Sequence, residues 1–167
     1  MQGLIAFWSH ALAACLFASV MVWRLRERVE GPERLLIVSY FATALWATVA
    51  AVRGPADAVT MPFETVRNLL WIMLLHSMWS GIGDRARGLR FVFGAEALVI
   101  GLQMSLNLLV LLMPLPAALT GDVLATERLL RVTMAAGALV LVHNLYGQAA
   151  PQSRDRKSTR LNSSHPK

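Results

Sequence analysis

Among the polar side chains inside long apolar stretches, five stand out: His76, Glu96, Gln103, Asn107 and His143. Glu96, Gln103 and Asn107 recur at offsets of seven and four, and at 3.6 residues per turn that spacing puts all three on one helix face. A carboxyl followed by two carboxamides can hold or pass a proton, or hydrogen-bond a small polar ligand. The same groups can also do no more than tie helices together, at roughly 1 kcal/mol per contact. His76 and His143 lie in two other apolar runs, at a depth matching that of Glu96 by residue count, so the three can meet as one protonatable cluster. A pair of histidines on helices running the same way can also clamp a haem, but isolated helical histidines mostly pack. His10, next to Ser9, reads as a packing or interfacial residue.

The elements that must position these groups are long and apolar. Hydrophobic residues make up 56% of the 167-residue chain and charged ones 16%, too few to clothe a water-soluble domain. Several apolar runs approach the ~20 residues that cross a bilayer core. The expected fold is therefore all-α, a polytopic integral membrane helix bundle with five spans at about 3–23, 35–52, 63–82, 91–113 and 128–146. Gly31-Pro32, Arg53-Gly54-Pro55, and Pro114 with Pro116 punctuate the runs, and Ala117 to Ala125 reads as an outer loop. Glu64 and Arg67, three residues apart at the start of the third span, are placed to pair with each other. Ala47 and Ala51 offer a small-xxx-small spacing for close helix approach. The five tryptophans, Trp8 and Trp23 foremost, read as an aromatic belt. Arg24, Arg26, Arg28, Arg34, Arg85, Arg87, Arg90 and Arg154 fall on one side of such a bundle, against Arg53, Arg67, Arg128 and Arg131 on the other. That asymmetry places the N-terminus outside, in a multi-pass protein of the bacterial inner membrane.

Residues 155–167, DRKSTRLNSSHPK, break with all that precedes them. They hold both lysines of the chain, Lys157 and Lys167, whereas residues 1–154 carry twelve arginines and no lysine. Asp155 to His165 is also the product of one reading frame of a widely used sequencing adapter. We read the tail as non-native and set it aside, as with any fusion scar. Without its four basic and one acidic residues the net charge falls from +6 to +3, and a nucleic-acid partner loses its support. The native sequence is then expected to be cut near Arg154, with any catalytic part missing. Within residues 1–154 the lone Cys15 excludes an intrachain disulfide, and no phosphate loop, HExxH pair or nucleophile elbow occurs. No catalytic, cofactor-binding or metal residue is assigned, and the chain itself is not expected to be an enzyme.

Three stretches carry a family resemblance. They are Phe7-Trp8-Ser9-His10-Ala11-Leu12, Glu64-Thr65-Val66-Arg67-Asn68-Leu69-Leu70-Trp71, and the exit motif from His143-Asn144-Leu145-Tyr146 through Pro151-Gln152-Ser153-Arg154. Together they resemble the N-terminal membrane sensor region of the histidine kinase family of the exosortase/PEP-CTERM system, the PrsK family. The resemblance implies further spans, then a GAF-type domain and a kinase core. That core would use ATP and Mg, act as a homodimer and phosphorylate a response regulator controlling exopolysaccharide and PEP-CTERM genes. The phosphorylated histidine would lie in that core, so it is none of His10, His76 and His143. A fragment of a polytopic transporter or permease, its Glu96 face lining a path, is the other expectation.

Overall fold

The computed structural model describes residues 2–26, 33–80, 87–113 and 116–162, and each regular element among them is an α-helix. In chain order these are α1 (Gln2–Leu25), α2 (Glu33–Arg53), α3 (Thr60–Ser80), α4 (Arg87–Leu112) and α5 (Ala117–Asn162). Arg28, Gly31-Pro32, residues 83–86 of the second basic loop, Pro114 and residues 163–167 of the tail lie outside the described residues, as do the side chains from Gln148 through the exit motif.

The first four helices fall close to the expected spans, and local chemistry sets their ends. After α2, Gly54 takes a left-handed φ of 97° and its N–H donates to the Ala50 carbonyl at 2.9 Å, a glycine C-cap. Asp57 then accepts from the Val59 N–H at 2.9 Å, and the Thr60 hydroxyl donates back to the Gly54 carbonyl at 2.8 Å. This closes the turn into α3. The fifth helix departs from expectation at both ends. Residues 117–125 are helix, not loop, because the Pro116 carbonyl accepts from the N–H groups of Leu119 (2.9 Å) and Thr120 (3.3 Å). Proline lacks an N–H and so suits a helix start, where no such donor is needed. At the far end α5 continues past Tyr146 to Asn162, through a stretch in which the good helix formers Ala, Gln and Arg outnumber Gly147 and Pro151.

Among the described residues four helical stretches, not five, are long and apolar enough to cross a membrane: Gly3–Leu25, Glu33–Arg53, Leu89–Leu112 and Ala118–Gly147. The one that falls short is α3, where Glu64, Arg67, Asn68, His76 and Ser77 interrupt the apolar run. Its position explains how it keeps Glu64, Arg67 and Asn68, which are buried or half-buried, whereas His76 is exposed. The helices pack in sequence, α1 on α2, α2 on α3, α3 on α4 and α4 on α5, and α3 also touches α5. A helix with neighbours on several sides can turn its polar groups onto them. On α2 the buried small face runs through Ser39, Thr43, Ala47 and Ala50, successive steps of one helix face, while Ala51 is only partly covered.

The distribution of polarity is reversed from that of a soluble bundle. Thr65, Asn68, Glu96, Gln103, Asn107 and Glu127 are among the buried polar groups, whereas Leu4, Ile5, Phe91, Leu98, Leu112 and Leu139 are among many large apolar side chains turned outward. Exposed apolar surface on this scale needs a covering.

Candidate functional site

The buried polar groups form a seam where α3, α4 and α5 meet. On α4, Glu96, Ile100, Gln103 and Asn107 are all buried, Gln103 and Asn107 with no accessible surface. They line one face for about 16 Å, at 1.5 Å rise per residue. Asn107 crosses to α3, its Nδ2 donating to the Thr65 Oγ1 at 2.7 Å. The Thr65 hydroxyl in turn donates to the Met61 carbonyl at 3.3 Å, so the bond is anchored in the backbone of α3.

Glu96 faces α5. A Cβ placed on Gly137 would coincide with the Glu96 carboxyl group, so Gly137 forms the notch in which that side chain lies. Around Glu96 the seam borders an apolar core of Ile72, Trp79, Leu89, Ile100 and Leu141. The periodicity of α5 brings this about: Glu127, Arg131, Met134, Ala138, Leu141 and Leu145 step along one stripe.

At the end nearer Thr65 the seam is charged. Arg131 joins Glu127, one turn away on α5 at 2.6 Å, to Glu64 of α3 at 3.1 Å. The expected Glu64–Arg67 pair therefore gives way to a bond between helices. Arg67 instead donates to Asn68 Oδ1 through Nε (3.1 Å) and Nη2 (2.8 Å), and its guanidinium lies 3.9 Å from the centre of the Trp46 ring. His10 of α1 meets the same indole edge-on at 5.4 Å while bonding the Ala6 carbonyl at 2.7 Å. One tryptophan thus links α1, α2 and α3. Trp71 is likewise turned inward, its indole N–H donating to Thr43 at 3.1 Å, and Trp79 is buried. Only Trp8 and Trp23 of the five are large exposed aromatics at helix ends, so the aromatic belt accounts for two tryptophans rather than all five.

The seam is incompletely bonded. Glu96 Oε2, both amide atoms of Gln103 and Asn107 Oδ1 are buried without a hydrogen-bond partner among the described residues. A buried polar atom left unpaired costs about 1–3 kcal/mol, so a succession of them on one face is a place primed to take up a proton or a polar partner. Of the five residues singled out from sequence, the structure gathers Glu96, Gln103 and Asn107 into this seam. The two histidines stand apart from it: His76 is exposed on α3, edge-on to Phe93 at 4.9 Å, and His143 is exposed on α5. Neither makes a hydrogen bond or ion pair to the seam among the described residues, and nothing there resembles a pair of haem ligands.

Sequence reasoning missed Thr65, Gly137 and the Glu64–Arg131–Glu127 bridge. The four-residue spacing of Glu127 and Arg131 was a legible signal for part of the last; nothing in the sequence marked Thr65 or Gly137 as neighbours of α4. No family model, curated protein or solved structure matches the chain.

Proposed function

We propose that the chain is the membrane-embedded input region of a sensor histidine kinase, a multi-pass bundle of the bacterial inner membrane with its N-terminus outside. The observation that carries this reading is the polar seam around Glu96, enclosed in a bundle whose outer surface is apolar. Buried ionisable groups inside such a bundle are costly and usually functional. A change in protonation or in hydrogen bonding at the seam alters how α3, α4 and α5 pack, and further helices pass that change to a kinase core. There ATP and Mg would serve histidine phosphorylation in a homodimer, and a response regulator would receive the phosphoryl group and control exopolysaccharide and PEP-CTERM genes. Two of the three stretches that resemble this family meet in space, since His10 and Arg67 share the Trp46 ring. The bilayer is the immediate partner, and no nucleic acid is involved.

A transporter fragment is the second reading; on it the Glu96 face would line a path, with buried Ile100 as an apolar break between Glu96 and Gln103. The test is Glu96→Ala in the full-length protein. Kinase autophosphorylation in membranes should change while insertion stays the same; unchanged signalling sinks the sensor role of the seam. Reading the genomic frame onward from Arg154 separates the two functions. Further spans and an ATP-binding kinase core are expected, and helices followed by a stop would favour the transporter.

A further inference from the structure

A second site lies beside the seam, on a neighbouring face of α4. A cleft of about 550 Å³ opens between α3 and α4, with Leu35 of α2 at its edge. Its walls are apolar, from Leu69, Ile72 and Met73 on α3 and Phe93 and Ala97 on α4. Gly94 widens it, since a Cβ there would meet nothing within 4 Å. At one end stand two groups of different chemistry, the Arg90 guanidinium and the His76 imidazole. Arg90 is exposed and makes no ion pair among the described residues. Its nearest acidic neighbour along α4, Glu96, is turned away into the seam against Gly137.

Placement adds to this. Arg90 is in the first turns of α4, His76 near the end of α3 and Leu35 in the first turn of α2, so the polar end of the cleft coincides with one end of the bundle. Arg24, Arg26 and Arg34 belong to that same end, where α1 stops and α2 starts. In a membrane-spanning bundle this is the level of lipid headgroups on the arginine-rich, cytoplasmic side. An apolar slot capped by a cation at headgroup depth matches an anionic phospholipid: acyl chain along Leu69, Met73 and Phe93, phosphate at Arg90.

We propose that the α3–α4 cleft binds an anionic phospholipid of the cytoplasmic leaflet, with Arg90 holding the phosphate and His76 beside it. This rests on the membrane reading above but not on the kinase reading. The full chain is first separated into membrane and soluble fractions; recovery in the soluble fraction overturns the membrane reading itself. Chain extracted from membranes is then examined by native mass spectrometry with equal phosphatidylglycerol and phosphatidylcholine. The wild type should retain phosphatidylglycerol about tenfold over phosphatidylcholine. R90Q should abolish that preference and R90K should keep most of it, whereas G94L, which fills the slot without altering charge, should lower retention of both lipids. Equal retention of the two lipids by the wild type, or an unchanged preference in R90Q, overturns the lipid site. So does complete displacement of the bound lipid by free inorganic phosphate, which would assign Arg90 to phosphate alone. If R90Q does not fold, the G94L and R90K results decide the matter. A M73C chain in a C15S background that crosslinks to a second copy, instead of remaining open to lipid, also overturns the proposal.

Discussion

Replacing Gly137 by alanine offers a sharp test of the seam, because two opposing effects are separable. In a helix interior Gly→Ala stabilises by roughly 0.5–1 kcal/mol through reduced backbone entropy of the unfolded chain. Here the new methyl would occupy the space of the Glu96 carboxyl group, and forcing extra volume into a packed interior costs about 1–3 kcal/mol. Gly137→Ala alone should therefore be net destabilising, by up to about 2 kcal/mol, which for a chain of this size lowers Tm by a few degrees at roughly 2–4 °C per kcal/mol. Once Glu96→Ala has emptied the notch, the steric term vanishes and only the backbone term remains. The same Gly137→Ala change should then stabilise. The sign reverses, and the coupling between the two positions comes to about 1–3 kcal/mol. Thermal unfolding of the four proteins in detergent, followed by helical circular dichroism, reads it out. Equal effects of Gly137→Ala in both backgrounds would falsify the placement of Glu96 over α5.

Arg131 stands between Glu64 and Glu127, so Arg131→Met leaves two carboxylates facing each other in a poorly solvated place. A loss of about 3–5 kcal/mol is expected, largely recovered when Glu64→Gln and Glu127→Gln are added; unfolding midpoints of the single and triple variants check it. The Asn107–Thr65 bond predicts opposite outcomes from its two partners. Thr65→Val strands the Asn107 amide as well as its already unpaired Oδ1 and should destabilise by about 1 kcal/mol, whereas Asn107→Leu removes the unpaired groups together and should be nearly neutral or stabilising. Comparable losses in both would show that the seam is bonded in some other way.

The sequence carried the class of the fold through its apolar runs and the breakers between them. Gly54 and Pro55 end α2 where a left-handed residue and a proline must, and the positions of α1 to α4 follow within a few residues. It also placed Glu96, Gln103 and Asn107 on one face, because that follows from helical periodicity alone. It misjudged the start of α5, since a proline after an apolar run signals a break equally well when it opens the next helix. It counted α3 as a span from its apolar run at 69–75, although Glu64, Arg67, Asn68, His76 and Ser77 interrupt that helix on either side.

What local periodicity cannot supply is the identity of the partner across an interface. A helix face is written into one segment, but which helix meets it, and at what height, depends on how five segments stack. Tertiary packing chose Arg131 over Arg67 for Glu64, gave Asn107 to Thr65, set Glu96 against the bare backbone at Gly137, and left His76 and His143 on the outside. The residues of the seam were legible because spacing along a single helix is a one-dimensional property. Its missing bonds, and the glycine that makes room for it, became visible only once neighbouring helices excluded the space around them.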